Sequence, residues 1–454
     1  MATALFWFRK DLRLMDNPAW TEVCKSNRVL PVFILEPELL SNAGTFRKRQ
    51  FFANLGALAE EITRLGGKLN VITGPAEGIL PRYVKENRID SIYLNADTTP
   101  FSLKRDKDVF KQISVPVHSY WGGFVHPPET ILTQKGEISK VFTPFYKKWI
   151  SFPAPPALIP KKPTFIDSDG DDGEMASYEG PSVFPAGYHG ARERLERFLE
   201  IAERYQDFRN FPSENGTSML SSDLHFGTMG PREILQNLSP NREGHRQFIR
   251  QLAWRDWYAH LLYANQQIPY SPVNPVYENI RWREDNEGLE HWKNGQTGYP
   301  IVDAGMRQLL TSGWMHNRVR MITASFLVKH LLVDWRIGER YFREILVDGD
   351  VAQNSGNWQW VAGTGFDAAP YFRVFNPILQ SEKFDPSGSY IRKWVPELNE
   401  MPDSCIHSPW TVEESILGES NVVLGETYPY PIVEHVKARQ RVLDAYKTAR
   451  DTEG

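Results

Sequence analysis

Between Ala2 and Gly123, short apolar, β-rich runs (ALFWF, VLPVFIL, KLNVIT, IDSIYLN, VPVHSYW) alternate with helix-patterned stretches such as Arg47 to Arg64 and Glu77 to Glu86. Few folds accept that pattern. Strands that are apolar along their length must be covered on both faces, and strands separated by helices pair in parallel through right-handed crossovers. The alternation predicts an α/β N-terminal domain, residues 1–123, built on a parallel doubly wound sheet. No GxGxxG follows the first run, so the usual dinucleotide fingerprint is missing. A ligand of such a sheet would sit at the carboxyl ends of the strands, near Arg9 to Asn17 and Asn95 to Phe101.

From Phe124 the chain becomes rich in Pro, Gly, Ser and Asp, as in FPAPPALIPKKPTFIDSDGDDGEM. Residues 124–189 read as an interdomain connector wrapped over the surface. Beyond it the apolar period turns helical in ARERLERFLEIAERY, HRQFIRQLAWRDWYAHLLYANQ, DAGMRQLLTSGWMHNRVRMITASFLVKHLLV and VEHVKARQRVLDAYKTA, which predicts an all-α domain over 190–454. The length of 454 residues suits two or three domains.

Charge and composition narrow the function classes. A net charge of -4 gives no general basic excess for nucleic acid, so any phosphate-binding face must be local. The unusual count is 14 Trp, whose rings either fill a helical core or stack on bases and carry electrons. Cys24 and Cys405 lie far apart, and the opening MATALFWFRKDLR lacks the pattern of a secretory signal, so a cytoplasmic location is expected, nucleoid-associated in a bacterium. No apolar run reaches the roughly 20 residues of a membrane span.

Several constellations in the second half carry chemistry. In ENGTSMLSSDLHFG, Thr217, Ser218 and Ser221 lie at the expected entry to a helix, where hydroxyls either cap the helix or hold a phosphate. Gln251 and Trp254 share a helix face, an arrangement that grips a planar base by stacking and by its polar edge, or is simply core beside surface. In GWMHNRVRM, Asn317 and Met321 share a face while Arg318 and Arg320 lie on other flanks. Asp348 and Asp350 in DGDVAQNSGNWQW lack the further ligands and glycine of a calcium loop, so no metal is expected. Asn354 and Trp358 again fall on one face, and Trp360 points elsewhere.

The block from Gly298 to Pro377, which contains GWMHNRVRM and DGDVAQNSGNWQW, resembles nearly residue for residue the flavin-binding core of the photolyase and cryptochrome family. The likeness is nearest the class I branch that repairs cyclobutane pyrimidine dimers, and it extends to WFRKDLRLMDNPAW and LNADTTPFSLKRD in the first half. It implies FAD as cofactor. Thr217, Ser218, Met219, Leu220 and Ser221 match the pyrophosphate clamp, with Tyr205 beside it. Phe248, Arg255, Trp314, Asn317 and Arg320 match further cofactor contacts. The resemblance also pairs Asp348 with Arg320 beside the ring system, brings Asp350 to the sugar or adenine end, and faces Asn354 to flavin N5.

The same resemblance implies a lesion pocket of Gln251, Trp254, Asn317, Met321 and Trp360, an electron-transfer chain of Trp282, Trp335 and Trp358, and DNA phosphate contacts at Arg318 and Arg373. Position 251 departs from the pattern, since glutamate is usual there. Glutamine keeps the hydrogen bonds but loses the ionisable proton, so binding is expected to survive while stabilisation of a dimer radical weakens. The expected substrate is DNA containing pyrimidine dimers, bound by a monomer. The resemblance leaves open whether the first domain holds a second, antenna chromophore (a deazaflavin, folate or flavin) or an empty cleft; Phe101 and Ser102 lack the polar pair used for folate. The alternative reading is a cryptochrome-like blue-light photoreceptor with weak or no repair. A flavin oxidoreductase would need a nicotinamide site that the sequence does not show.

Overall fold

A computed structural model describes residues 2–25, 27–168 and 178–451. Part of the Asp- and Gly-rich connector, residues 169–177, lies outside the described residues. The chain divides into two compact units. The first comprises Met1–Gln206, Ser218–Gln266 and Val347–Ala352; the second comprises Asp207–Thr217, Gln267–Leu346 and Gln353–Gly454.

The first unit holds the sheet. Strands β1 (Thr3–Phe8), β2 (Arg28–Leu35), β3 (Asn70–Thr73), β4 (Ser91–Asn95) and β5 (Val117–Tyr120) are all parallel, in the order β3-β2-β1-β4-β5. Each expected run became a strand. The order doubles back at β1, so the carboxyl ends of β1 and β4 open next to each other, where such sheets take ligands. Leu5, Trp7, Leu30, Val32, Ile34, Ile92 and Leu94 pack against the Ala76–Glu86 helix on one face, while Trp20 meets Phe6 edge to face and Phe8 at a tilt elsewhere in the core. A short β6, Thr164–Phe165, adds to β2 through the pairs Arg28 with Thr164 and Val29 with Phe165.

The connector differs from a plain surface wrap. Its Phe142–Ser151 stretch is a helix that buries Phe142, Phe145 and Trp149. Apolar groups spaced three and four apart give it one inward stripe. The Asp256 carboxylate on helix Glu243–Ala264 anchors this region by accepting from Val125 N (3.2 Å), His126 N (3.1 Å) and Trp149 Nε1 (2.9 Å). Burial raises its pKa to about 6, against the pull of Arg255 and these donors.

The second unit is helical around a core that runs from Trp292 to Tyr428. The long periodic stretch from residue 303 to 333 is not one helix. Pro300–Ser312 ends at Gly313 with φ 66°, Asn317–Ser325 follows, and a π-helical turn, Phe326–Leu331, closes at Leu332 with φ 57°. Glycine accepts the left-handed conformation at 313 freely. Helices Trp335–Ile345, Val351–Ala362 and His435–Asp451 complete the parts used below.

Candidate functional site

In the first unit, Ser218 to Leu220 lead into a short helix that starts at Ser221. Met219 takes φ 55°, and Ser218 Oγ accepts from Leu220 N at 3.3 Å. Helix Ser221–Phe226 begins after Leu220, which occupies the cap position without a side-chain cap bond. Neither serine is therefore spent on capping. Tyr205 and Phe248 are buried edge to face, with centroids 5.2 Å apart. Arg255 donates to the carbonyls of Gly123 (2.5 Å) and Leu224 (3.1 Å).

Gln251 and Trp254 lie half-buried on helix Glu243–Ala264, and Gln251 Nε2 donates to Gln247 O at 3.2 Å. Trp254 has a partner that sequence reasoning missed. Phe142 lies parallel to it, with centroids 3.6 Å apart and planes 12° apart, and Arg250 covers Phe142 and Tyr146 at 5.1 Å. One face of the indole is thus already stacked, which fixes the plane in which a further ring could pack.

The Asp348 to Asp350 segment belongs to the first unit although helices of the second flank it in sequence. Asp348 is buried, and Asp350 N donates to Asp348 O at 2.7 Å. The Asp350 carboxylate lies 3.7 Å from Lys10 Nζ and 3.9 Å from His225 Nδ1, and Lys10 also reaches Asp97 at 3.6 Å. Burial opposes ionisation of Asp350, but Lys10, His225 and Arg255 outweigh it and hold the acid far below the usual carboxylate range. Lys10, too, was absent from the sequence-based set.

In the second unit, His316 caps helix Asn317–Ser325, its Nδ1 accepting from Arg318 N at 3.1 Å. Burial, with Arg320 and Arg318 nearby, lowers its pKa to about 4, so the ring is neutral and fit to accept. Trp314 is half-buried, with its ring edge-on to His316 at 6.4 Å. Asn317 is exposed, and its Nδ2 approaches Met321 Sδ at 3.9 Å, so the two side chains do meet. Arg318 donates to Asn210 Oδ1 (2.7 Å) and lies 4.2 Å over the Phe384 ring, while Arg320 donates to Met315 O (2.8 Å). Arg373 is exposed.

Asn354 is held by Glu339, a buried acid that sequence reasoning also missed. Its Nδ2 donates to the Glu339 carbonyl at 2.8 Å and to Oε1 at 3.0 Å, which fixes the amide plane and with it the direction of Oδ1, an acceptor. Trp358 packs edge-on to Phe342 at 5.0 Å, and Trp335 is fully buried in the same apolar cluster. Trp282 is half-buried and packs against that cluster. Trp360 is half-buried on the same helix as Trp358. Among the described residues no three His, Cys, Asp or Glu side chains converge as metal ligands, and no helix is long and apolar enough to cross a membrane.

Comparison with known proteins adds an independent finding. Residues 4–162 match the family described as DNA photolyase, and residues 248–448 match the FAD binding domain of DNA photolyase. A deoxyribodipyrimidine photo-lyase of Agrobacterium fabrum is 38% identical, covering 99% of this chain and 99% of that protein. Among solved structures, a bacterial class III photolyase from Agrobacterium tumefaciens superposes with a TM-score of 0.94 at 37% identity, over 99% of this chain and 98% of that one. An archaeal photolyase from Sulfolobus tokodaii with two FAD molecules gives 0.87 at 35%, over 98% of this chain and 100% of that one.

Proposed function

The chain belongs to the DNA photolyase family, and we propose from its residues how it does that family's work. It is a deoxyribodipyrimidine photolyase, a light-dependent lyase that binds FAD and repairs pyrimidine dimers in DNA; similarity to curated photo-lyases along 99% of the chain carries this conclusion. When bound and reduced, FAD supplies the electron that light delivers to the dimer. The protein's own part is to bind, orient and exclude water.

The donor set fits such a cofactor. The Ser218 and Ser221 hydroxyls around a left-handed Met219 suit a pyrophosphate, and an Asp350 kept ionised suits a sugar or adenine edge, with Thr217 and Leu220 completing the segment. Tyr205, Phe248, Arg255, Trp314, Arg320 and Asp348 are assigned to the same cofactor, and Asn354 to its reactive ring, its amide held in place by Glu339.

A dimer inside a duplex must be flipped out, which costs least where pairing and stacking are already lost. Trp254, rigidly backed by Phe142, and Trp360 would stack on the extruded pyrimidines. Gln251, Asn317 and Met321 would meet their edges, and Arg318 and Arg373 the neighbouring phosphates. Trp282, Trp335 and Trp358 would conduct electrons inward to restore the reduced cofactor. We further propose residues 1–123 as the antenna domain, 124–189 as connector and 190–454 as the FAD- and DNA-binding region, in a monomer of the cytoplasm or nucleoid. Two free cysteines are in keeping with a reducing compartment. The S. tokodaii photolyase with two FAD molecules favours a flavin among the antenna candidates.

The test is repair of a thymine-dimer oligonucleotide by purified, reduced protein, read as recovery of thymine absorbance. Recovery in blue light and none in darkness is expected. Bound FAD without light-dependent recovery would sink the assignment in favour of a photoreceptor.

A further inference from the structure

Helix Val351–Ala362 carries Trp360 near its end, and residues 363–376 run on from it through Arg373 without forming helix or strand. An exposed arginine on such a stretch meets a phosphate reproducibly only if the backbone beneath it is fixed. Backbone bonds fix the first limb: Gly363 N and Ala369 N donate to Trp360 O at 3.3 and 3.2 Å, and Asn274 N donates to Thr364 O at 3.1 Å. Beyond Ala369 the support passes to Tyr371. Its ring stacks on Tyr446, with centroids 5.9 Å apart and planes 6° apart, and Arg450 covers it at 5.4 Å. Phe372 and Arg373, which follow, are exposed.

The Tyr371 carbonyl has a partner inside the core. Lys329, fully buried in the π-helical turn Phe326–Leu331, donates from Nζ to Ala362 O at 2.7 Å and reaches Tyr371 O at 3.5 Å. Ala362 is the last residue of the Trp360 helix, and Tyr371 stands two positions before Arg373. One side chain thus joins the root of the stretch to its far limb. The amine lies 3.9 Å from the centre of the Tyr446 ring, and no carboxylate offsets its burial, which lowers its pKa to about 7. Methionine would fill similar space without the cost of burying an amine, so the bonds to two carbonyls are what the lysine adds.

We propose that Lys329 is a positioning residue for DNA binding. From within the core it sets where Tyr371, and hence Arg373, stands relative to Trp360, so that arginine and indole reach the phosphate and the base of one lesion together. Lys329 itself touches no nucleic acid. The inference rests on the assignment of Arg373 to a DNA phosphate and of Trp360 to the extruded pyrimidines.

The salt dependence of binding to a fluorescent thymine-dimer duplex tests this, because each cation that meets a phosphate adds about 0.9 to the slope of log affinity against log salt, and a buried packing group adds nothing. Titrations use the FAD-loaded protein at about pH 8.5, where Lys329 is mostly neutral and its own charge does not enter. Lys329→Met should bind roughly tenfold more weakly and lose as much slope as Arg373→Gln, and the double variant should be no weaker than Arg373→Gln alone. Tyr446→Phe removes the other donor to Ala362 O but keeps the ring and the lysine, so it should retain the wild-type slope. Bound FAD and the urea midpoint check that each variant is folded. A wild-type slope in Lys329→Met, losses that add in the double variant, or a Tyr446→Phe slope as low as that of Lys329→Met overturns the positioning role while leaving the Arg373 contact intact. A wild-type slope in Arg373→Gln overturns the phosphate assignment and the inference with it.

Discussion

Replacing Lys329 by methionine should make the protein more stable, and the gain should fade as the pH rises. Burial takes the lysine from 10.5 to about 7. Each pKa unit is about 1.4 kcal/mol of differential interaction, so keeping this lysine folded costs about 4 to 5 kcal/mol at and below the folded value. The sign follows from the direction of the shift. Below the folded value both states carry the proton and the cost is full; between about 7 and 10.5 only the unfolded state binds it, so the wild type gains stability with rising pH. Methionine matches the apolar stem but leaves Ala362 O with one donor, Tyr446, instead of two. Setting about 1 to 2 kcal/mol against that loss leaves a net gain near 3 kcal/mol at neutral pH. Urea unfolding of both proteins, followed by helix signal near pH 7 and near pH 10, tests this; midpoints are compared because a chain of two units need not unfold in one step. A variant that is less stable at neutral pH, or a gap that does not shrink on raising the pH, would refute the reasoning.

Three further outcomes are expected. Gln251→Glu should raise dimer repair per absorbed photon while changing affinity for dimer DNA by no more than about fivefold, about one hydrogen bond's worth, measured by repair yield beside a binding titration. Asp350→Asn leaves Lys10 and His225 facing a neutral amide, so FAD should dissociate at least about tenfold more readily, seen as flavin fluorescence released on dilution. Gly338→Ala would place a methyl 2.2 Å from Trp358 Cη2 and 2.5 Å from Leu327 Cδ2; it should cost about 1 to 3 kcal/mol and alter the near-ultraviolet dichroism of the indole.

What the chain's letters disclose, and what they withhold, follows from the range of the forces involved. The parallel strands were legible because burial on both faces leaves an unbroken apolar run, whereas β6 has two residues set among prolines and owes its place to pairing with Arg28 and Val29. The Phe142–Ser151 helix was hidden because a proline-rich neighbourhood masks a single inward stripe. Side-chain pairs one helical turn apart, such as Asn317 with Met321, were readable from spacing alone, and they do meet. The supports were not readable: Phe142 behind Trp254, Glu339 under Asn354 and Lys10 beside Asp350 each come from another element, and no local period announces them. Lys329 shows the same division most sharply. In sequence it is a polar break in ITASFLVKHLLV; only the packed neighbours turn it into a buried amine that donates to a backbone carbonyl and lies against a tyrosine ring. Motifs name the groups that touch cofactor and substrate, while the residues that hold those groups in plane, or control their charge, are chosen by tertiary contact. The supporting residues therefore act through the motif residues, so variants at positions 142 and 339 should change the orientation of Trp254 and Asn354 without removing a group that touches cofactor or substrate.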